Sequence, residues 1–190
     1  MLMKRILALL LAVGVFAVTH EGAHATTAMG YDKYQSFHVK PFSLEVEYVT
    51  PVAERLGIRW VLISGASNLL TSLVGYVLLC SEGRFSRMPS LFLRSLVYWL
   101  TLLGLLLDPF NLSVGPFVYG GDANGIAVGM GVDVLVVQII FLGILLLNRE
   151  LVAQKLIPSY GVQTRHPLVR PLFRLPWERS RSDVIKRKEE

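Results

Sequence analysis

The chain has 190 residues, of which 53% are hydrophobic and only 17% charged, and its mean hydropathy is +0.50. Soluble domains carry nearer a quarter charged residues, so this composition argues against a simple soluble globule. The formal charge is +5, but the 19 Lys and Arg gather near the ends of apolar runs. A nucleic-acid surface would instead show a basic stripe with interleaved aromatics, so no nucleic-acid partner is expected. The single cysteine, Cys80, rules out an intramolecular disulfide and a cysteine zinc cluster.

Four apolar runs follow in chain order, at Ile6–Val18, Trp60–Cys80, Leu91–Leu107 and Ile126–Asn148. A helix needs about 20 apolar residues to cross a bilayer. The last three runs approach or exceed that length, and the first does so if the Ala- and Thr-rich stretch beyond it continues the helix. The predicted fold is an all-α integral membrane bundle with spans at about 4–28, 60–80, 91–107 and 126–148. A competing reading makes the first run a secretory signal, with Lys4-Arg5 as its basic start and Ala23-His24-Ala25 as a cleavage site before Thr26. The protein would then be a non-catalytic multi-span partner or carrier.

Cytoplasmic loops carry an excess of Lys and Arg. With the N-terminus inside, the inner segments hold Lys4, Arg5, Arg84, Arg87, Arg94 and ten basic residues from Arg149 onward. The outer segments hold Lys33, Lys40, Arg55 and Arg59, balanced by Asp32, Glu45, Glu47 and Glu54, and the connection at 108–125 has no basic residue. Both termini are therefore expected to be cytoplasmic. Between the first two spans, Phe42-Ser43-Leu44-Glu45-Val46-Glu47-Tyr48 alternates apolar and polar residues, the signature of a short extramembrane strand or hairpin. Residues 151–190 carry four of the nine prolines with interleaved arginines, including Arg165, Arg170, Arg174, Arg179 and Arg181. They are expected to form an extended or partly ordered cytoplasmic tail near anionic headgroups.

His20-Glu21-Gly22-Ala23-His24 has the H-E-x-x-H form. On a helix, residues four apart share a face, so both imidazoles can bind one metal while Glu21 holds or deprotonates a water at that metal. Two imidazoles leave a tetrahedral zinc site one protein ligand short. The charge rule puts His20 and His24 at the outer end of span one and Asp122 at the outer end of span four, which makes Asp122 the candidate third ligand. Asp108, at the outer end of span three, is its rival, and Asp122 also suits a turn or helix cap. Asp133 lies inside span four, 11 residues after Asp122. On a continuous helix it returns to nearly the same face, as a proton-relay group or as a protonated carboxyl bonded to a neighbouring helix. Gly121, Gly125 and Gly129 recur every four residues, so their face can approach another helix closely and bring Asp122 toward span one. Trp60, Tyr98, Trp99 and Tyr119 read as interfacial aromatics, and His38 and His166 as exposed loop residues.

Three segments together resemble the site-2 protease family of intramembrane zinc metalloproteases. They are His20-Glu21-x-x-His24-Ala25 with Ala28 and Gly30, then Asn111-Leu112 and Pro116 leading to Gly120-Gly121-Asp122, and more loosely Ser64-Gly65-Ala66-Ser67-Asn68. The resemblance implies a zinc (Zn2+) cofactor held by His20, His24 and Asp122, with Glu21 as general base. It also implies peptide-bond hydrolysis in or beside the bilayer, with a membrane-spanning or membrane-proximal protein as substrate. Asn68 and Asn111 would bind substrate backbone or oxyanion, although interhelical hydrogen bonding is an alternative role for each. This chain departs from the family where Ala123 follows Asp122 in place of glycine, and where Asn111 precedes Asp122 by 11 residues. The charge rule also puts the site on the outer side, whereas family members generally open toward the cytosol.

Overall fold

The computed structural model describes residues 1–173 except 42, 52–53, 119–120 and 163–165. Helix α1 spans Leu2–Gly30, strands β1 (Tyr34–Lys40) and β2 (Ser43–Tyr48) form a hairpin, and α2 spans Ile58–Cys80. A single turn, α3 (Glu82–Phe85), leads to α4 (Leu91–Ser113), the short α5 (Gly121–Met130) and α6 (Val134–Leu151). One π-helical turn at Val152–Leu156 carries α6 on into α7 (Ile157–Ser159).

Four helices are long and apolar enough to cross a membrane: Leu2–Gly30, Ile58–Cys80, Leu91–Ser113 and Val134–Ser159. Leu7, Leu10, Leu69, Leu73, Ile139 and Ile140 are among their many exposed large apolar side chains. Such an outer surface suits lipid and would be costly in water. Their inner faces carry hydroxyls, amides and glycines. Helix α4 is central, packing on α1, α2 and α6, while α5 packs on α2.

Close approach is written into two glycines at the α2–α4 crossing. A methyl group on Gly104 would lie 2.6 Å from the Thr71 carbonyl oxygen, and one on Gly75 would lie 2.9 Å from the Gly104 carbonyl carbon. Pro109 lies inside α4 and has no N–H to give to the Leu105 carbonyl one turn earlier. Asn148 of α6 donates its amide to that carbonyl at 2.7 Å and accepts from Tyr76 Oη of α2. One proline-freed acceptor thus ties three helices together.

The fourth span lies elsewhere than expected. The apolar run at 126–148 breaks at Gly131, whose φ of +67° is the left-handed conformation glycine tolerates. Val132 N–H reaches back to Ala127 O, closing α5 with a Schellman-type cap. Asp133 then caps α6 by accepting from Leu135 N–H at 2.7 Å. Asp133 is therefore an exposed N-cap and does not share a helix face with Asp122, because the continuous helix that face required does not exist. The fourth long helix runs on to Ser159, so residues 151–159 are helical where a tail was predicted. Of that tail, Arg165, Arg174, Arg179, Arg181 and Pro176 lie outside the described residues.

Leu44, Val46 and Tyr48 of β2 point inward and Ser43, Glu45 and Glu47 point out, as alternation predicts. The strands pair antiparallel, with Phe37 opposite Val46 and Val39 opposite Leu44. The hairpin lies on the C-terminal end of α1, and Tyr48 packs edge-on to Trp60 with ring centroids 5.5 Å apart. Trp60 is buried beneath the hairpin instead of lying at an exposed interface. Tyr119 lies outside the described residues.

Candidate metal centre

Helix α1 continues without a break through the H-E-x-x-H segment. His20 and His24, one turn apart, both turn inward and are buried. Their rings meet edge-on at 5.0 Å. Ala23, Ala25 and Ala28 are buried beside them, so the stretch that also reads as a cleavage site is packed helix here.

Asp122 arrives from the first turn of α5. Its Oδ2 lies 3.3 Å from His20 Nε2 and its Oδ1 lies 3.2 Å from His24 Nε2. Each imidazole thus faces its own carboxylate oxygen, and one ligand atom from each residue falls within 4.8 Å of the others. Donors at the usual zinc distances around one tetrahedral ion are roughly 3.3–3.6 Å apart; the 3.3 Å separation falls in that range and the 3.2 Å one just below it.

The surrounding bonds decide the tautomer of His24. His24 Nδ1 meets the Ile63 carbonyl oxygen at 2.7 Å, and a carbonyl can only accept, so the proton is on Nδ1. In neutral His24 the lone pair is then on Nε2, which has Ser67 Oγ at 2.8 Å and Asp122 Oδ1 at 3.2 Å. His20 has carboxylates on both sides: Nδ1 lies 3.1 Å from Asp108 Oδ1, out of line for a hydrogen bond, and Nε2 faces Asp122. Two imidazole nitrogens and one carboxylate that face a common space suit a cation there, and this donor set is the zinc hydrolase set.

Asp108 and Asp122 consequently have different places. Asp122 shares the inner space between the two Nε2 atoms, whereas Asp108 lies behind His20 on its Nδ1 side. Asp108 is itself held by the Thr71 hydroxyl, which donates to its Oδ2. A carboxylate behind a metal-binding imidazole orients the ring and raises its basicity. Asn68 donates to Asp122 Oδ2 at 3.0 Å. Its amide is thus committed to the carboxylate rather than to a substrate, and it is not among the residues lining the cleft described below.

A cleft of about 460 Å³ opens over the cluster. Glu21, the two histidines, Asp122 and Asn111 line it from the helices, and Leu44, Val46, Tyr48 and Arg55 line it from the hairpin side. Glu21 is half-buried in this wall. Burial, with Asp122 and Glu21 nearby, pushes the Tyr48 phenol above its ordinary pKa, so it stays a neutral donor at the rim.

The glycine face of α5 approaches another helix closely, and that helix is α2. A methyl group on Gly125 would run into Ser64, and one on Gly129 would come within 2.8 Å of Val61, so this face seats on α2 while Asp122 reaches His20 and His24 of α1. Gly120 lies outside the described residues. Ser67, Thr71, Tyr48 and Arg55 were not singled out as site residues from sequence. For Ser67 and Thr71 a signal existed, since they sit at the i+3 and i+7 positions from Ser64 on an otherwise apolar span. His38, read as an exposed loop residue, is exposed but lies in β1, where it pairs with Glu47 at 3.0 Å. No family model, curated protein or solved structure matches this chain.

Proposed function

We propose that the protein is a membrane-embedded zinc metalloprotease of site-2 protease type, hydrolysing peptide bonds of a membrane-spanning or membrane-proximal substrate in the cleft beneath the hairpin. The observation that carries this reading is the convergence of His20 Nε2, His24 Nε2 and the Asp122 carboxylate, with the glutamate of H-E-x-x-H in the wall of the same cleft. His20, His24 and Asp122 would hold the ion. Bound zinc supplies a Lewis acid and lowers the pKa of water to near 7. The Glu21 carboxylate accepts the proton of the attacking water and returns it to the departing amine nitrogen. Asn111 and Tyr48 supply polar groups to the substrate backbone along the walls. By the charge rule, the cleft opens on the outer side and both termini are cytoplasmic.

The test is zinc content and peptide hydrolysis of the full-length protein in detergent. About one zinc per chain is expected, lost in His20→Ala and in Asp122→Ala. Glu21→Gln keeps the zinc and loses at least 100-fold in kcat. Hydrolysis undiminished in Glu21→Gln would refute the protease reading. An intact chain without zinc would point to the competing reading, a non-catalytic bundle in which Asp122 ties α1 to α5 by ion pairs alone.

A further inference from the structure

Arg55 lines the same cleft as the metal-site residues but belongs to none of the roles above. Its side chain is fixed from three directions. The guanidinium carbon lies 4.8 Å from the Tyr48 ring centroid and 5.1 Å from that of Trp60, and Nε donates to the Thr50 carbonyl at 3.1 Å. The two rings stand at 86° to each other, so the planar group sits in an aromatic corner. Cation–π contacts and a committed Nε leave both terminal Nη groups as a pre-oriented fork of donors. Arg55 makes no ion pair with a carboxylate among the described residues. The acid nearest in kind on the hairpin, Glu45, is paired with Lys40.

We propose that Arg55 is a specificity-determining residue that takes a carboxylate of the peptide in the cleft, either an acidic side chain near the scissile bond or a free C-terminus. The inference rests on the protease reading, and it names the substrate class that reading leaves open. A guanidinium fork matches a carboxylate with two parallel hydrogen bonds, and its fixed geometry lowers the ordering cost of binding. The apolar side chains of Leu44, Val46 and Val128 along the same cleft would contact the neighbouring residues of such a peptide. Substrates would then be peptides or juxtamembrane segments that present one negative charge to Arg55, in a cleft whose other charged lining residues, Glu21, Glu45 and Asp122, are acidic.

The experiment uses zinc-loaded full-length protein in nanodiscs of neutral lipid. The probes are quenched peptides of one sequence carrying Glu or Gln at successive positions, each with a free or an amidated C-terminus. Wild type should favour one carboxylate position by about tenfold in kcat/KM, mostly through KM, and the favoured position tells side chain from terminus. Arg55→Gln should erase that ratio, Arg55→Lys should keep part of it, and Arg55→Glu should turn it toward Lys peptides, all with zinc content retained as the control for folding. Equal cleavage of Glu and Gln peptides by wild type overturns the inference while leaving the protease reading intact. Binding of the same peptides, followed by fluorescence anisotropy, separates the two ideas if nothing is cleaved: an Arg55-dependent preference for carboxylate upholds the inference alone, and equal binding overturns it. Competition of the Glu peptide by anionic phosphatidylglycerol through Arg55 would assign the fork to a lipid headgroup and also overturn it.

Discussion

Asp108 and Asp122 are the same side chain with different work, and their difference is one of position around a single imidazole. Asp122 meets the Nε2 side of His20 and also His24, whereas Asp108 meets only Nδ1 and is tethered by Thr71. From sequence the two were rivals, since both fall at the outer ends of apolar runs. The geometry predicts distinct phenotypes. Asp122→Asn should abolish stoichiometric zinc, while Asp108→Asn should retain binding with affinity about 10- to 100-fold weaker, as for other partners of metal-bound histidines. Competition with a graded series of zinc chelators measures both. Equal losses in the two variants would return Asp108 to the ligand set.

At the scale of elements, two breaks in helical hydrogen bonding shape the bundle. Pro109 removes the donor for Leu105 O, and Asn148 replaces it from α6. Asn148→Leu should therefore cost about 1–3 kcal/mol, the penalty of a buried unpaired carbonyl. Adding Pro109→Ala restores an N–H in α4 and should recover part of that loss. A double-mutant cycle in detergent unfolding reads the coupling, and additive losses would contradict it.

The second break, at Gly131, separates α5 from α6 and frees α5 to carry Asp122 to α1. Gly131 followed by Asp133 is a C-cap and N-cap pair that sequence displays, yet an unbroken apolar run hides it. Asp133→Ala should cost about 1 kcal/mol through loss of the α6 cap and leave zinc binding unchanged. Parallel zinc loss would mean that the α5–α6 junction sets the position of Asp122. The hairpin was more legible, because β2 buries one face and a period of two leaves little doubt about which residues turn inward.

At the scale of the molecule, the four long helices have apolar outer surfaces and polar inner seams, and the hairpin covers one end of the bundle. The charge rule predicts an orientation for this assembly, and Cys80 offers a native reporter because it is exposed at the end of α2 opposite the hairpin. In intact cells, a membrane-impermeant maleimide should leave Cys80 unlabelled. The same reagent should label a cysteine at Lys33 in a Cys80→Ser background. The reverse pattern would invert the topology and turn the cleft toward the cytosol.

Local patterns determined what those patterns can encode. Apolar runs specified the number of long helices, alternation specified β2, and four-residue spacing placed His20 and His24 on one face. These are short-range properties, fixed by helix and strand periods. The meeting of Asp122 with the two histidines, the carboxylate behind His20, the seating of the α5 glycines on α2 and the aromatic corner around Arg55 were decided only by tertiary structure. Each joins residues dozens of positions apart, and their meeting depends on where Gly131 and Pro109 interrupt helices and which carbonyls are thereby released to other elements.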